Sequence, residues 1–178
     1  MSADGELTGE IGERLVSVFK DHDVYHDHGT NGCTIVSWFG EGLHRDTELS
    51  QLDMAIVERG TGRLRALVEI EETSKKPKTM LGDVFGTLFG EHITVQGRQF
   101  DVGEQTALIV MLMAPTQKEE DGKRMAYLKH KIEICQSALC TRSHSVGRLV
   151  IDTFTDGPDL EQKLQGHIGA VLNPDEPQ

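Results

Sequence analysis

The chain has 178 residues and a formal net charge of −11, with 18 Lys and Arg against 29 Asp and Glu. This length predicts one well-packed domain and is short for two. The net charge excludes a protein that coats nucleic acid through bulk positive charge. A local basic surface is still allowed, because residues 59–148 hold 14 Lys and Arg against 11 Asp and Glu.

The apolar segments and the cysteines predict the cellular compartment of the protein. The longest apolar run, residues 107–115, is far shorter than the ~20 residues that cross a bilayer. Residues 1–10 are polar and acidic and lack the basic and apolar regions of a secretion signal. The three cysteines include no C-x-x-C pair, which suits a reducing compartment. We therefore expect a soluble cytoplasmic protein that does not bind a membrane.

Hydrophobic periodicity and turn residues predict the elements in chain order. Residues 21–32 are polar and are predicted to be a turn-rich loop. The two strands at 50–59 and 63–72 flank Gly-Thr-Gly, which is typical of a hairpin. The predicted elements are a helix at about 8–21, strands at 33–40, 50–59 and 63–72, a helix from Thr79 to about 90, a strand at 106–115, a helix at 125–139, a strand at 147–154 and a helix at 159–172.

This order predicts the fold class. A hairpin followed by alternating helices and strands implies a single α/β domain with a mixed β-sheet flanked by helices on both faces. The core is expected over about residues 8–170, and residues 173–178 are expected to fray. Gly82, Gly86 and Gly90 recur every four residues and predict one smooth helix edge where backbones approach closely.

Three carboxylates fall on the predicted hairpin. Glu69 and Glu71 alternate along one strand and therefore point to the same face. Asp53 lies on the neighbouring strand, within plausible reach of Glu69. Carboxylates that are brought together in a poorly hydrated site repel, and a divalent cation relieves that repulsion. Because all the ligands are oxygen atoms, the pattern favours Mg²⁺ or Mn²⁺ over zinc.

These residues also carry a resemblance to a known family. Asp53 and the triplet Glu69-Ile70-Glu71, with a glutamate-bearing helix before them, resemble the PD-(D/E)XK nuclease superfamily over about residues 8–115. The resemblance implies a restriction-endonuclease-like core and metal-dependent hydrolysis of phosphodiester bonds. It also implies that Mg²⁺ or Mn²⁺ is bound by Asp53, Glu69 and the main-chain carbonyl of Ile70.

The sequence departs from this family's pattern at Glu71. The family usually has lysine there, which orients or deprotonates the attacking water, although some of its restriction enzymes carry glutamate. Glu71 is therefore expected to act as general base, or Lys75 or Lys76 to supply the positive charge from the following loop. The resemblance also implies an acid from the first helix, with Glu13 as first choice and Glu10 as second.

A basic segment follows the triplet, where members of the family tend to meet the phosphate backbone. We predict that three of its residues contact nucleic acid: Lys75, Lys76 and Lys78. A solvated helix entrance whose lysines balance nearby glutamates is the competing interpretation. DNA is the expected substrate, and a homodimer or a complex with a protein partner is left open.

Other functions stay open at this stage. One alternative is a catalytically silent module of the same fold that binds nucleic acid or a protein partner. Another is an unrelated α/β protein with an acidic sheet face. The histidines at 22, 26 and 28 could bind a transition metal, although a solvated loop is favoured. A triad of Cys140, His144 and Asp152 could be drawn, but no local signature of a nucleophile supports it.

Overall fold

The computed structural model describes residues 5–40, 43, 45–72, 77–113, 126–127, 129–134 and 146–174. Its helices are α1 (Glu6–Val18), α2 (Pro77–Leu88), α3 (helical residues 129–134) and α4 (Gly157–Leu172). Its strands are β1 (His22–His26), β2 (Ile35–Trp38), β3 (Glu48–Leu52), β4 (Met54–Glu58), β5 (Leu64–Glu71), β6 (His92–Val95), β7 (Arg98–Asp101), β8 (Ala107–Met113) and β9 (Arg148–Phe154).

The described strands form two sheets. The larger sheet has the order β1-β4-β5-β8-β9. Its first three strands are antiparallel, whereas β5, β8 and β9 run parallel. The smaller sheet has the order β3-β2-β6-β7 and is antiparallel throughout. The predicted mixed α/β class is confirmed, and the smaller sheet is an addition to it.

Helices cover both faces of the larger sheet. On one face α1 and α4 bury a row of residues that includes Ile11, Leu15 and Leu164. On the other face α2 contributes Val84 and Leu88, α3 contributes a buried isoleucine, and the smaller sheet completes the layer. Strands β4, β5 and β8 are therefore buried on both sides, which explains their nearly continuous apolar sequences. No helix in the described ranges is long and apolar enough to span a bilayer.

The predicted strand at 50–59 is in fact two strands in two sheets, so that prediction was wrong. Leu52 ends β3 and pairs with Ile35 in the smaller sheet. Met54 begins β4 and pairs with Val68 in the larger sheet. Asp53 lies between them as the residue where the chain changes sheets. Both flanking residues are buried, so the apolar run continues across the change without marking it.

The prediction of a loop at 21–32 was also wrong, because residues His22–His26 form β1. Every residue of β1 pairs with β4, from His22 with Glu58 to His26 with Met54. His26 is buried against α1, where Gly12 leaves room for its ring. A side chain at Gly12 would collide with that ring. Tertiary packing thus makes a strand from a polar sequence.

The hairpin predicted at Gly-Thr-Gly is confirmed, and a second hairpin was missed. Strands β4 and β5 are antiparallel, and the glycine at 60 has φ 88° and the glycine at 62 has φ 68°. Strands β6 and β7 are joined by Gln96 and Gly97, both with positive φ. Such a two-residue turn fits the right-handed twist of short strands. Each of these two strands has only four residues, which leaves little periodicity to detect.

Helix α2 begins two residues before the predicted Thr79, at a proline that suits a first helical position. Its glycine edge is partly confirmed. A Cβ atom at Gly86 would lie 2.9 Å from Ser50 Cβ, and one at Gly90 would collide with Ser37 Oγ. Gly82 has open space around it, so the prediction of close approach was wrong there. The helix therefore lies tightly on the smaller sheet through its second half.

Candidate metal centre

Asp53 sits where β4 would continue if the chain did not change sheets. Extending the register from Met54 and Val68 by one residue sets Asp53 opposite Glu69. Directly opposed residues share a face and have Cβ atoms ~4.5–5.5 Å apart in an antiparallel pair. Beyond this point the Asp53 carboxylate replaces a main-chain acceptor of β4, because its Oδ2 accepts the amide N–H of Ile70 at 2.6 Å. Its own carbonyl accepts the amide of Asp27 at 2.8 Å.

Glu69 lies within β5, between apolar residues that face the α1 and α4 side. It points to the opposite side, towards α2, and is 8% exposed. Its Oε1 accepts a hydrogen bond from the hydroxyl of Thr87 in α2 at 2.6 Å. A buried carboxylate is thus held by a helix packed across the sheet, which fixes its orientation.

One cavity of about 250 Å³ joins these groups. Asp53, Glu69, Ile70 and Glu71 all line it, so the structure brings together the four residues that the resemblance implied. Asp83 of α2 lines it as well and was missed. Asp83 lies one helical turn before Thr87 on the same face of the helix, but no sequence pattern marked either residue. The remaining lining residues are Gln51, Val84, Val110 and Leu112.

The two carboxylates at the centre of the cavity are hard to ionise. Burial, and after it the charges of Asp27 and Glu72, raise the pKa of Asp53 from 3.8 to about 7, against the stabilising N–H of Ile70. Burial and then the neighbouring charge of Asp53 raise the pKa of Glu69 well above its usual range. Two such groups favour binding either a proton or a cation.

The acids of the first helix lie elsewhere. Glu13 Oε1 accepts the amide of Thr30 at 2.9 Å and lines a separate cavity of about 400 Å³. Glu10 pairs with Arg14 at 3.1 Å. Helix α1 packs on the face of the larger sheet opposite Glu69, so its body is turned away from the Asp53 cavity.

Helix α1 still touches the neighbourhood of the cavity through its first turn. Both the amide and the hydroxyl of Thr8 donate to Glu72 Oε1, at 2.9 and 2.8 Å. Glu72 directly follows the Glu69-Ile70-Glu71 triplet and caps a helix whose Gly5 offers no side-chain cap. The end of β5 is thereby anchored to α1.

The remaining predicted residues are placed only in part. Lys75 and Lys76 lie outside the described residues, and Lys78 falls in the first turn of α2. Cys140 and His144 also lie outside, whereas Asp152 contacts His167 at 3.0 Å.

The predicted histidine loop has an observed structural role instead. His26 Nδ1 contacts the carbonyl of His28 at 3.2 Å, and the ring of His28 packs against Gly5. His22 begins β1, and burial lowers its pKa. These contacts attach β1 and the following turn to α1.

The donor set at the cavity consists of two side chains and the main chain. In the described ranges, no group of three or more His, Cys, Asp or Glu side chains is arranged to hold a metal ion. Asp53 and Glu69 each use one oxygen for a protein hydrogen bond. Among the described residues their other oxygens, Asp53 Oδ1 and Glu69 Oε2, accept none. As far as the described residues go, these two hard oxygen atoms are therefore available to a ligand.

No family model, no curated protein and no solved structure matches this chain.

Proposed function

We propose that the protein is a metal-dependent nuclease of the PD-(D/E)XK type, with a restriction-endonuclease-like core, that hydrolyses phosphodiester bonds of nucleic acid in the cytoplasm. One observation carries this proposal. Asp53, at the change of sheet directly before β4, and Glu69 of β5 line one cavity, and both have raised pKa values. Like charges placed together at such a cost are typical of a functional site.

Mg²⁺ or Mn²⁺ fits these donors. Asp53 Oδ1, Glu69 Oε2 and the main-chain carbonyl of Ile70 would hold it, with water completing the coordination. Such a cation replaces the proton that the carboxylates otherwise prefer. The chemistry supplied with the ion bound is activation of water at neutral pH and neutralisation of charge that develops on the phosphodiester oxygens.

The other residues would act on water and phosphate. Glu71 lines the cavity and is half-buried, which suits a carboxylate that orients the attacking water or accepts its proton. Lys75 or Lys76 would steady the phosphate, and Lys78 would contact the nucleic acid backbone. DNA is the proposed substrate. All three lysines lie within seven residues after the triplet in the sequence.

Cleavage assays test this proposal. Plasmid DNA, single-stranded DNA and RNA are incubated with Mn²⁺ and the wild type, Glu69→Gln or Glu71→Lys. We expect Glu69→Gln to abolish nearly all cleavage, because a metal ligand is lost. Glu71→Lys places the commoner residue of the family and should keep or increase activity. Glu161→Gln, which removes an acid paired with Arg14 at a distant site, is the matched control and should cleave like the wild type.

One outcome would favour a second function. Glu71 stands where the family usually has its catalytic lysine, which is the observation that favours a catalytically silent module. If both the wild type and Glu71→Lys leave all three nucleic acids intact, the silent module replaces the nuclease. Binding then decides its ligand: Lys78→Ala should weaken DNA binding and reduce the salt dependence by about one phosphate contact.

A further inference from the structure

Thr87 is the one described side chain that hydrogen-bonds to Glu69, and it is fully buried. A threonine within a helix usually donates its hydroxyl proton to the carbonyl four residues earlier. That carbonyl, of Asp83, lies 3.1 Å from Thr87 Oγ1, whereas Glu69 Oε1 lies only 2.6 Å away. A hydroxyl has one proton, so when a cation is bound and Glu69 is ionised, the shorter contact to its carboxylate takes that proton.

A second hydroxyl supports this choice. Ser50 Oγ in β3 lies 3.2 Å from Thr87 Oγ1. Since Thr87 donates to Glu69, Ser50 must be the donor in this contact, and the three side chains form a chain of hydrogen bonds from Ser50 through Thr87 to Glu69. The tight seat of Gly86 against Ser50 holds α2 and β3 in the alignment that this chain requires.

We propose that Thr87 is the positioning residue of the metal centre: its hydroxyl holds Glu69 Oε1 so that Oε2 is presented to the cation. This inference rests on the proposed function. Hydrogen bonds to ligating carboxylates fix the orientation of the ligand, and their loss typically weakens metal binding by about 10–100-fold. Thr87 itself acts only through Glu69.

Mn²⁺ binding to the full chain tests this role, with the free ion measured by electron paramagnetic resonance. Thr87→Val replaces the hydroxyl by a methyl group of similar size and should weaken binding by about tenfold or more. Thr87→Ser restores the hydroxyl and should bind close to wild-type affinity. Thr106→Val is the matched control, because Thr106 is equally buried but bonds to Leu64 at the far end of β5. It should lower the melting temperature and leave Mn²⁺ affinity unchanged.

The outcomes separate the two claims. If the wild type binds no Mn²⁺, the proposed metal centre fails and the role of Thr87 fails with it. If the wild type binds and Thr87→Val binds equally tightly, the metal centre stands and the positioning role is overturned. Should Thr87→Val fail to fold, Thr87→Ala is compared with Thr87→Ser, since these two differ by one oxygen atom. Equal affinities for that pair would likewise overturn the inference.

Discussion

The pKa values of two aspartates in this protein, Asp53 and Asp152, are shifted in opposite directions. The pKa of Asp53 rises to about 7, with carboxylates around it. At Asp152 burial also raises the pKa, but the hydrogen bond from His167, the amide of Thr153 and the charge of Lys163 outweigh it and leave the pKa lowered. Among the described residues, Asp152 has His167 and Lys163 beside it, whereas most of the charges that act on Asp53 are those of other carboxylates.

The difference separates a structural pair from the proposed metal site. Asp152 and His167 join β9 to α4, and Lys163 adds a bond to the carbonyl of Thr153 at 2.6 Å. These groups satisfy one another. Asp53 and Glu69 each accept a protein hydrogen bond with one carboxylate oxygen, and both residues line the cavity. The buried pair can be neutralised by a proton or by a cation.

The largest expected effect is a pH dependence that metal reverses. Without metal, the folded state binds a proton at Asp53 more tightly than the unfolded chain, whose pKa is near 3.8. The stabilisation is complete below pH 3.8 and is lost as pH rises to about 7, by up to roughly 4 kcal/mol. Urea unfolding of the wild type and Asp53→Asn from pH 4 to 7.5 measures it.

Asp53→Asn should lack this pH-dependent stabilisation. The difference in free energy of unfolding between the wild type and the variant should therefore change with pH. With saturating Mg²⁺ the wild type should instead gain stability as pH rises, because ionised carboxylates bind the ion. A difference between wild type and variant that stays constant with pH would contradict the raised pKa.

The next effect is stabilisation by the ion itself. Mn²⁺ at about 100 times its dissociation constant should stabilise the wild type by ~2.7 kcal/mol. Glu69→Gln should remove this gain and should be more stable than the wild type without metal, because a buried carboxyl that is costly to ionise is gone. Thermal unfolding with and without Mn²⁺ measures both. An equal metal-dependent shift in Asp152→Asn is the expected control, and an equal shift in Glu69→Gln would place the ion elsewhere.

A smaller change, a loss of stability, is expected from Gly86→Ala. The added Cβ would lie 2.9 Å from Ser50 Cβ and 3.1 Å from the carbonyl of Leu49, so helix α2 must shift. Overpacking of this kind costs about 1–3 kcal/mol. Gly82→Ala meets open space and is the control; it should be neutral or stabilising. Unfolding by urea compares the two, and equal stabilities would contradict the tight seat of α2.

The smallest change in stability is expected from Asp152→Asn. Its carboxylate and the ring of His167 are both about 30% exposed, so the pair is partly screened by solvent. Asp152→Asn should cost less than about 1 kcal/mol at neutral pH. Because the pKa of Asp152 is lowered, its contribution is present above pH 3.8 and lost as pH falls below it. Unfolding at pH 7 and pH 3 measures this, and a larger cost at pH 3 would contradict it.

Sequence reasoning recovered the parts of the fold that carry long periodic signals. Strand β8 is a continuous apolar run, and α4 has a regular buried face ended by Asn173. Strand β1 and the hairpin of β6 and β7 escaped because each strand is short and its pairing partner is set by tertiary contacts. The change of sheet at Asp53 left no mark in an apolar run.

The same limits apply to the site. Asp53, Glu69 and Glu71 could be found because strand alternation places acids on one face of a hairpin. Thr87 and Asp83 could not be assigned, since their role depends on where α2 packs across the sheet. Likewise, only tertiary packing decides that Glu13 turns towards Thr30.

Anomalous scattering from crystals soaked in Mn²⁺ tests the central claim most directly. If the buried pair lacks a counter-charge that a divalent cation supplies, a single peak should lie ~2.0–2.6 Å from Asp53 Oδ1 and Glu69 Oε2. The peak should be absent from crystals of Glu69→Gln. A cavity without a peak in the wild type, or a peak beside Asp152 and His167 instead, would contradict the account.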